Sequence, residues 1–213
     1  AQVCAMAGLD VTLVDVSDAA VARGLATLGN SLERLVKKDK LTAAASAAAL
    51  ARVRGTTDYA ALAGADLVIE AATENLALKL RILQQLAEVV REDAVIATNT
   101  SSISITQLAA AVKAPERFVG MHFFNPVPLM ALVEVIGGLQ TSDATRERAL
   151  AFVKSIGKTP IAVKNSPGFA VNRILVPMIN EAIFVLQEGL ASAEDIDAGM
   201  TLGCNQPIGP LAL

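Results

Sequence analysis

Gly120-Met121-His122-Phe123-Phe124-Asn125-Pro126-Val127-Pro128, followed closely by Leu132-Val133-Glu134-Val135-Ile136, reads as two apolar strands joined through a proline-containing turn. The first segment carries the only histidine in 213 residues, and the second carries a single carboxylate among Leu, Val and Ile. A histidine flanked by apolar residues is often no more than a satisfied core side chain. The glutamate alters that reading, because burying a carboxylate without a partner costs several kcal/mol. His122 is the natural partner to supply. Imidazole exchanges protons near neutral pH, and a buried acid beside it would fix its tautomer and stabilise the imidazolium formed when it acts as a base.

Upstream of this pair, strand and helix patterns alternate. Residues 1–7 read as a helix end capped by Gly8, and Val11-Thr12-Leu13-Val14 as a buried strand ending in Asp15. Residues 18–39 form a long amphipathic helix and 43–52 an alanine-rich one. Residues 67–72 and 94–99 are further strands, separated by a helix over 76–91 with Lys79 turned toward the neighbourhood of Glu74. Short connections between such elements predict a doubly wound, mostly parallel α/β sheet with helices on both faces, a Rossmann-like arrangement. Ligands of such sheets sit at the carboxyl ends of the strands, where Asp15, Glu74, Asn99 and Ser101 fall. Asp15 has two readings, a helix cap or the acid that holds an adenosine ribose about 20 residues beyond the first glycine of a dinucleotide fingerprint. The second favours NAD over NADP, since a carboxylate repels a 2′-phosphate; the glycines themselves would precede Ala1. Ser31 and Lys38 fall on one face of the long helix, and Lys37, Lys38 and Lys40 make a basic cluster that is either a solvated helix end or a site for an anionic ligand.

Downstream, a helix over 143–155 and a strand over 159–163 precede Asn165-Ser166-Pro167-Gly168, where the pattern breaks. From Phe169 to Gln187 it is purely helical, with Pro177 as an expected kink. The expected organisation is a nucleotide-binding domain over 1–164 and the start of an all-helical domain over 165–213.

Composition narrows the function classes. At 53% hydrophobic residues the chain can bury a sizeable core, and no apolar run long enough to span a membrane is present. A net charge of −3 argues against a nucleic-acid surface. Cys4 and Cys204 lie far apart with no metal-ligand spacing, so neither a disulfide framework nor a metal site is expected and a reducing cytoplasm is the natural setting. The chain opens on helical spacing without a start signal and closes at Pro210-Leu211-Ala212-Leu213 without a closing element, so it is expected to be part of a longer protein.

The stretch 122–136, together with Asn165-Ser166-Pro167-Gly168-Phe169-Ala170-Val171-Asn172-Arg173, resembles the L-3-hydroxyacyl-CoA dehydrogenase family, in particular its bacterial 3-hydroxybutyryl-CoA members. The similarity extends through Glu74-Asn75-Leu76, Asn99-Thr100-Ser101-Ser102 and Gly209-Pro210. The resemblance implies an NAD-dependent interconversion of 3-hydroxyacyl-CoA and 3-ketoacyl-CoA. His122 would be the base and Glu134 its charge-balancing partner, with Ser101 and Asn172 contacting substrate. Asp15, Glu74, Lys79, Asn99 and Ser101 would line the cofactor cleft, and Ser31 and Lys38 would contact coenzyme A beneath a mobile helical flap. It also implies a homodimer formed through the helical domain, with the glycine-rich loop and most of that domain lying outside these residues. Two alternatives stand beside it: a related dehydrogenase of a CoA-free hydroxy or sugar acid, and a non-catalytic cofactor-binding protein of the crystallin kind.

Overall fold

The computed structural model describes residues 1–213. The chain divides into two compact units, Ala1–Asn165 and Ser166–Leu213. The first unit contains, in order, α1 (Gln2–Met6), β1 (Val11–Val14), α2 (Asp18–Lys37), α3 (Ala43–Ala51), β2 (Val53–Thr56), β3 (Leu67–Glu70), α4 (Leu76–Val89), β4 (Val95–Thr98), α5 (Ile105–Ala109), β5 (Phe118–Phe123), β6 (Leu132–Gly137), α6 (Asp143–Ser155) and β7 (Thr159–Lys164).

Strands β3-β4-β5-β6-β7 form one sheet in that order, and β1-β2 pair in parallel as a second. All contacts of the larger sheet are parallel except β5 against β6, which is antiparallel. Its central strands are buried on both faces, as the unbroken apolar runs require. Val95, Ala97, Val119, Met121, Val133 and Val135 pack on one side against Ala149 and Val153 of α6. On the other side Ile105 and Leu108 of α5 are fully buried. Around β1-β2, the apolar stripe of α2 supplies Leu28 and Leu32 to a cluster with Ala5, Ala49 and Val53. Ser17 starts α2 by accepting from the Ala20 N–H, and Asp18 in its first turn with Arg34 and Lys37 in its last oppose the helix dipole.

Helices and strands differ from the sequence reading mainly at their ends. The strands expected over 67–72 and 94–99 stop at Glu70 and Thr98, leaving Ala71, Ala72 and Asn99 in the turns that follow. The long helix stops at Lys37 because Asp39 takes a left-handed φ of 54°. One strand and one α-helix were not expected at all. Val53-Arg54-Gly55-Thr56 is buried at only one of its ends and is a strand because β1 pairs with it residue for residue. The five residues of α5 are too few to display a helical period.

Gly120 sits where β5 is crossed by α5. A Cβ there would lie 2.7 Å from Ile105 Cδ1 and 3.0 Å from Ile136 Cβ. Gly120→Ala is therefore expected to lower the free energy of unfolding by about 1–3 kcal/mol, as overpacking does. Urea denaturation checks this, and an unchanged midpoint would mean that the sheet adjusts freely.

The second unit holds α7 (Val171–Gln187), with Pro177 inside it, and α8 (Ala193–Ala198) running into a π turn over Gly199–Gly203. Gly168 enters it with φ +74° and with its backbone so close to Arg173 that a Cβ would fall 2.9 Å from that residue's nitrogen, so only glycine fits. Asp197 Oδ1 accepts from the Leu211 N–H at 2.8 Å and fixes the Gly209–Leu211 segment on α8.

Candidate active site

Residues His122 and Glu134 stand directly opposite each other in the antiparallel β5–β6 ladder, which puts their side chains on one face within reach. His122 Nδ1 and Glu134 Oε2 are 2.8 Å apart. The glutamate is 0% exposed and the histidine 5%, so both groups depend on protein partners in place of water. The ring of Phe124 lies 4.6 Å from the imidazole, tilted by 54°. A ring whose Nδ1–H donates to the carboxylate has its lone pair on Nε2.

The end of this ladder is held by side chains from neighbouring strands. Asn99, immediately after β4, accepts from the Phe123 N–H at 2.8 Å through Oδ1, while its own N–H donates to Glu70 O at 2.8 Å. Across the ladder, Thr159 N–H donates to Ala131 O at 2.8 Å. Lys158 Nζ donates to the carbonyls of Val127 and Met130 at 2.6 and 2.7 Å. Burial pushes the Lys158 ammonium below the usual lysine range.

A cleft of about 220 Å³ opens at the carboxyl ends of β3 and β4, lined by Ala71, Ala72, Thr73, Glu74, Lys79, Asn99 and Ser101. Glu74 bridges its two sides: Oε1 accepts from the Ser101 N–H at 2.8 Å and Oε2 from the Thr100 hydroxyl at 2.7 Å. The donor set suits a dinucleotide: a carboxylate, an amide and a hydroxyl offer partners to ribose and carboxamide groups, and Ala71 and Ala72 let a ligand approach the backbone.

Lys79 is not turned toward Glu74. It is 1% exposed and pairs with Glu70 Oε2 at 2.5 Å, with Thr98 Oγ1 at 3.4 Å. From the first turn of α4 Lys79 reaches the end of β3, and a buried ammonium pairs with the buried carboxylate of Glu70 rather than the exposed one of Glu74. Glu70 in turn accepts from the Thr98 hydroxyl at 2.8 Å and, through Oε1, from the Ala72 N–H at 2.8 Å. Glu70 and Thr98 were missed in the sequence, although a lone acid at the end of an apolar strand carries the same signal that singled out Glu134.

Asp15 is exposed after β1 and binds the Val16 N–H at 2.7 Å; it does not line the cleft. It lies close enough to Tyr59 that burial, then the charges of Glu70 and Asp15, push that phenol above its ordinary range. Ser31 is half-buried on α2 and Lys38 exposed at its C-cap. The depression on this helix is lined by Thr27, Asn30, Glu33, Arg34 and Lys37 and includes neither. Asn172 is half-buried in the first turn of α7, in the second unit.

Residues 1–166 match the NAD-binding domain of 3-hydroxyacyl-CoA dehydrogenases, and residues 168–213 match their C-terminal domain. A 3-hydroxybutyryl-CoA dehydrogenase of Clostridioides difficile is 48% identical over all of this chain and 75% of its own length. Its namesake in Bradyrhizobium diazoefficiens is 49% identical, with 73% of its length covered. The crystal structure of an (S)-3-hydroxybutyryl-CoA dehydrogenase from Ralstonia eutropha superposes with a TM-score of 0.97 at 63% identity, covering 99% of this chain and 74% of that one. With its Rossmann-like sheet, its polar cleft at the strand ends and its helical second unit, the chain belongs to the 3-hydroxyacyl-CoA dehydrogenase family of NAD-dependent oxidoreductases.

Proposed function

We propose that the protein interconverts an L-3-hydroxyacyl-CoA, 3-hydroxybutyryl-CoA above all, and the 3-ketoacyl-CoA, with His122 and Glu134 as its acid/base pair. The observation that carries the mechanism is the 2.8 Å contact between two buried groups facing each other across β5 and β6. The names of the relatives support the substrate. When bound, NAD supplies the acceptor for the hydride that leaves C3. His122 Nε2 takes the proton of the 3-hydroxyl as that hydride departs, and returns it to the carbonyl oxygen in the reverse direction. Glu134 holds the ring in the tautomer whose Nε2 is basic and balances the charge of the imidazolium. Ser101, at the rim of the cleft, orients the substrate oxygen, and Asn172 is the proposed substrate contact of the second unit. Asp15, Glu74, Lys79 and Asn99 serve the dinucleotide, Lys79 from its pair with Glu70. Ser31 and Lys38 bind coenzyme A, the latter through its exposed ammonium. The partner proposed for the helical second unit is a second copy of the protein, in a homodimer.

The test uses the full-length protein, NADH, and acetoacetyl-CoA beside free acetoacetate. Turnover of the thioester at least about a hundredfold above that of the free acid is the expected result, since remote contacts to the carrier contribute to kcat as well as to KM. Lys38→Ala is expected to raise the KM for acetoacetyl-CoA about twofold to fivefold, the effect of one exposed ion pair. Equal turnover of the two substrates would overturn the assignment of a CoA ester.

A further inference from the structure

The loop over residues 124–131 is far longer than the about two residues needed to join neighbouring antiparallel strands. It leaves β5 just after His122 and Phe123, and enters β6 just before Glu134. Pro126 and Pro128 bring no N–H to hold it. Its internal bonds run from the Leu129 and Met130 N–H groups to Pro126 O, at 2.9 and 3.0 Å. Of its apolar side chains Phe124 packs on the His122 ring at 4.6 Å, while Leu129, 67% exposed, and Met130, 43%, leave the far half of the loop without an apolar anchor. Between that ring contact and the Thr159 N–H bond to Ala131 O at its end, the loop is fastened by Lys158, at the turn into β7, whose ammonium donates to Val127 O at 2.6 Å and Met130 O at 2.7 Å. Both are short, charge-assisted bonds. Burial lowers the affinity of this amine for its proton, and an apolar residue at the site would avoid that desolvation.

We infer that Lys158 is a positioning residue for the His122–Glu134 pair, acting through the carbonyls of Val127 and Met130. The ladder has one further residue pair, Phe123 with Val133, between the acid/base pair and the loop. Asn99 holds the β5 side of that end through the Phe123 N–H. Lys158 and the Thr159 N–H hold the β6 side. Without the ammonium, two carbonyls lose their donor and the loop relaxes toward solvent, and the mouth of the ladder spreads with it.

This inference rests on His122 and Glu134 being the acid/base pair, and its test keeps the two apart. In the full-length protein, Lys158→Met is expected to lower kcat for acetoacetyl-CoA reduction about tenfold to a hundredfold, as sub-ångström misplacement of a reacting group does, while the Kd for NADH stays within about twofold. Lys158→Arg, able to donate to both carbonyls, restores most of the rate, and Lys158→Gln, a neutral donor, falls between. That graded order at constant NADH affinity supports positioning, because a merely structural role would lower the yield of folded enzyme without ordering kcat by donor strength. A flat series, or a Lys158→Met enzyme with kcat within about twofold of the parent, overturns it. His122→Gln run in parallel distinguishes the failures: if it is inactive while Lys158→Met is not, the loop clamp alone is wrong, and if it turns over normally, the acid/base pair falls and the clamp with it.

Discussion

His122→Gln in the full-length protein is expected to reduce kcat about 10²- to 10⁴-fold, the range that a positioned acid/base contributes, with NADH affinity unchanged. Glutamine nearly preserves the volume of the ring, and its amide can donate to Glu134 as Nδ1–H does, so the carboxylate that is 0% exposed is not left unpartnered. What is lost is the proton acceptor at Nε2. Glu134→Gln probes the other half of the pair: shape and a hydrogen bond remain, the negative charge does not, and an amide no longer selects the tautomer that leaves Nε2 basic. It is expected to cost at least about tenfold in kcat, without a proportional change in KM, because an imidazolium present only during turnover is the species it fails to balance. Stopped-flow measurement of NADH consumption, which isolates hydride transfer from product release, checks both. Wild-type single-turnover rates in the two variants would remove the pair from the mechanism.

The contact between His122 and Glu134 is legible in the sequence because each is a lone polar group in a strand of Val, Met, Phe and Ile, and strand period alone decides which side chains share a face. The alternation of strands and helices, and hence the Rossmann-like fold, is legible for the same reason: runs such as Val95–Thr98 are apolar throughout because both faces are covered. Other features depend on partners far away in the chain and carry no local mark. Val53–Thr56 becomes a strand through β1, and Lys158 reaches carbonyls 31 and 28 residues away. Asn165 uses its side chain to accept from Ile105 N–H and to donate to Ser104 and Thr106, which fastens the last residue of the first unit to the start of α5. Glu70 is a different case. The burial argument that identified Glu134 applies to it equally, and following that argument would have assigned Lys79 to it, nine residues on.

Breaking the Glu70–Lys79 pair is expected to produce the largest loss of stability of any polar substitution in the first unit. Both side chains are 1% exposed, and the carboxylate takes three donors, from Lys79, the Thr98 hydroxyl and the Ala72 N–H. Lys79→Met leaves an ionised acid in the core, and Glu70→Leu leaves an ammonium there with Thr98 as its remaining partner; each is expected to cost about 3–5 kcal/mol, a large share of a typical domain's stability. The double variant Glu70→Leu/Lys79→Met removes both charges and is expected to recover most of that loss, since a packed apolar pair often equals a buried ion pair in stability. Urea denaturation of the four proteins gives the coupling energy. Singles that cost less than about 1 kcal/mol would mean that water or a neighbouring group solvates the pair. The double variant also separates stability from binding. Lys79 is among the residues that line the cleft, and an apolar pair there folds but offers no ammonium to a ligand. A folded double variant that binds NADH at least about tenfold more weakly, a difference of about 1.4 kcal/mol, would assign the pair to the cofactor; one that binds NADH as the parent does would leave it a purely structural feature of the strand end.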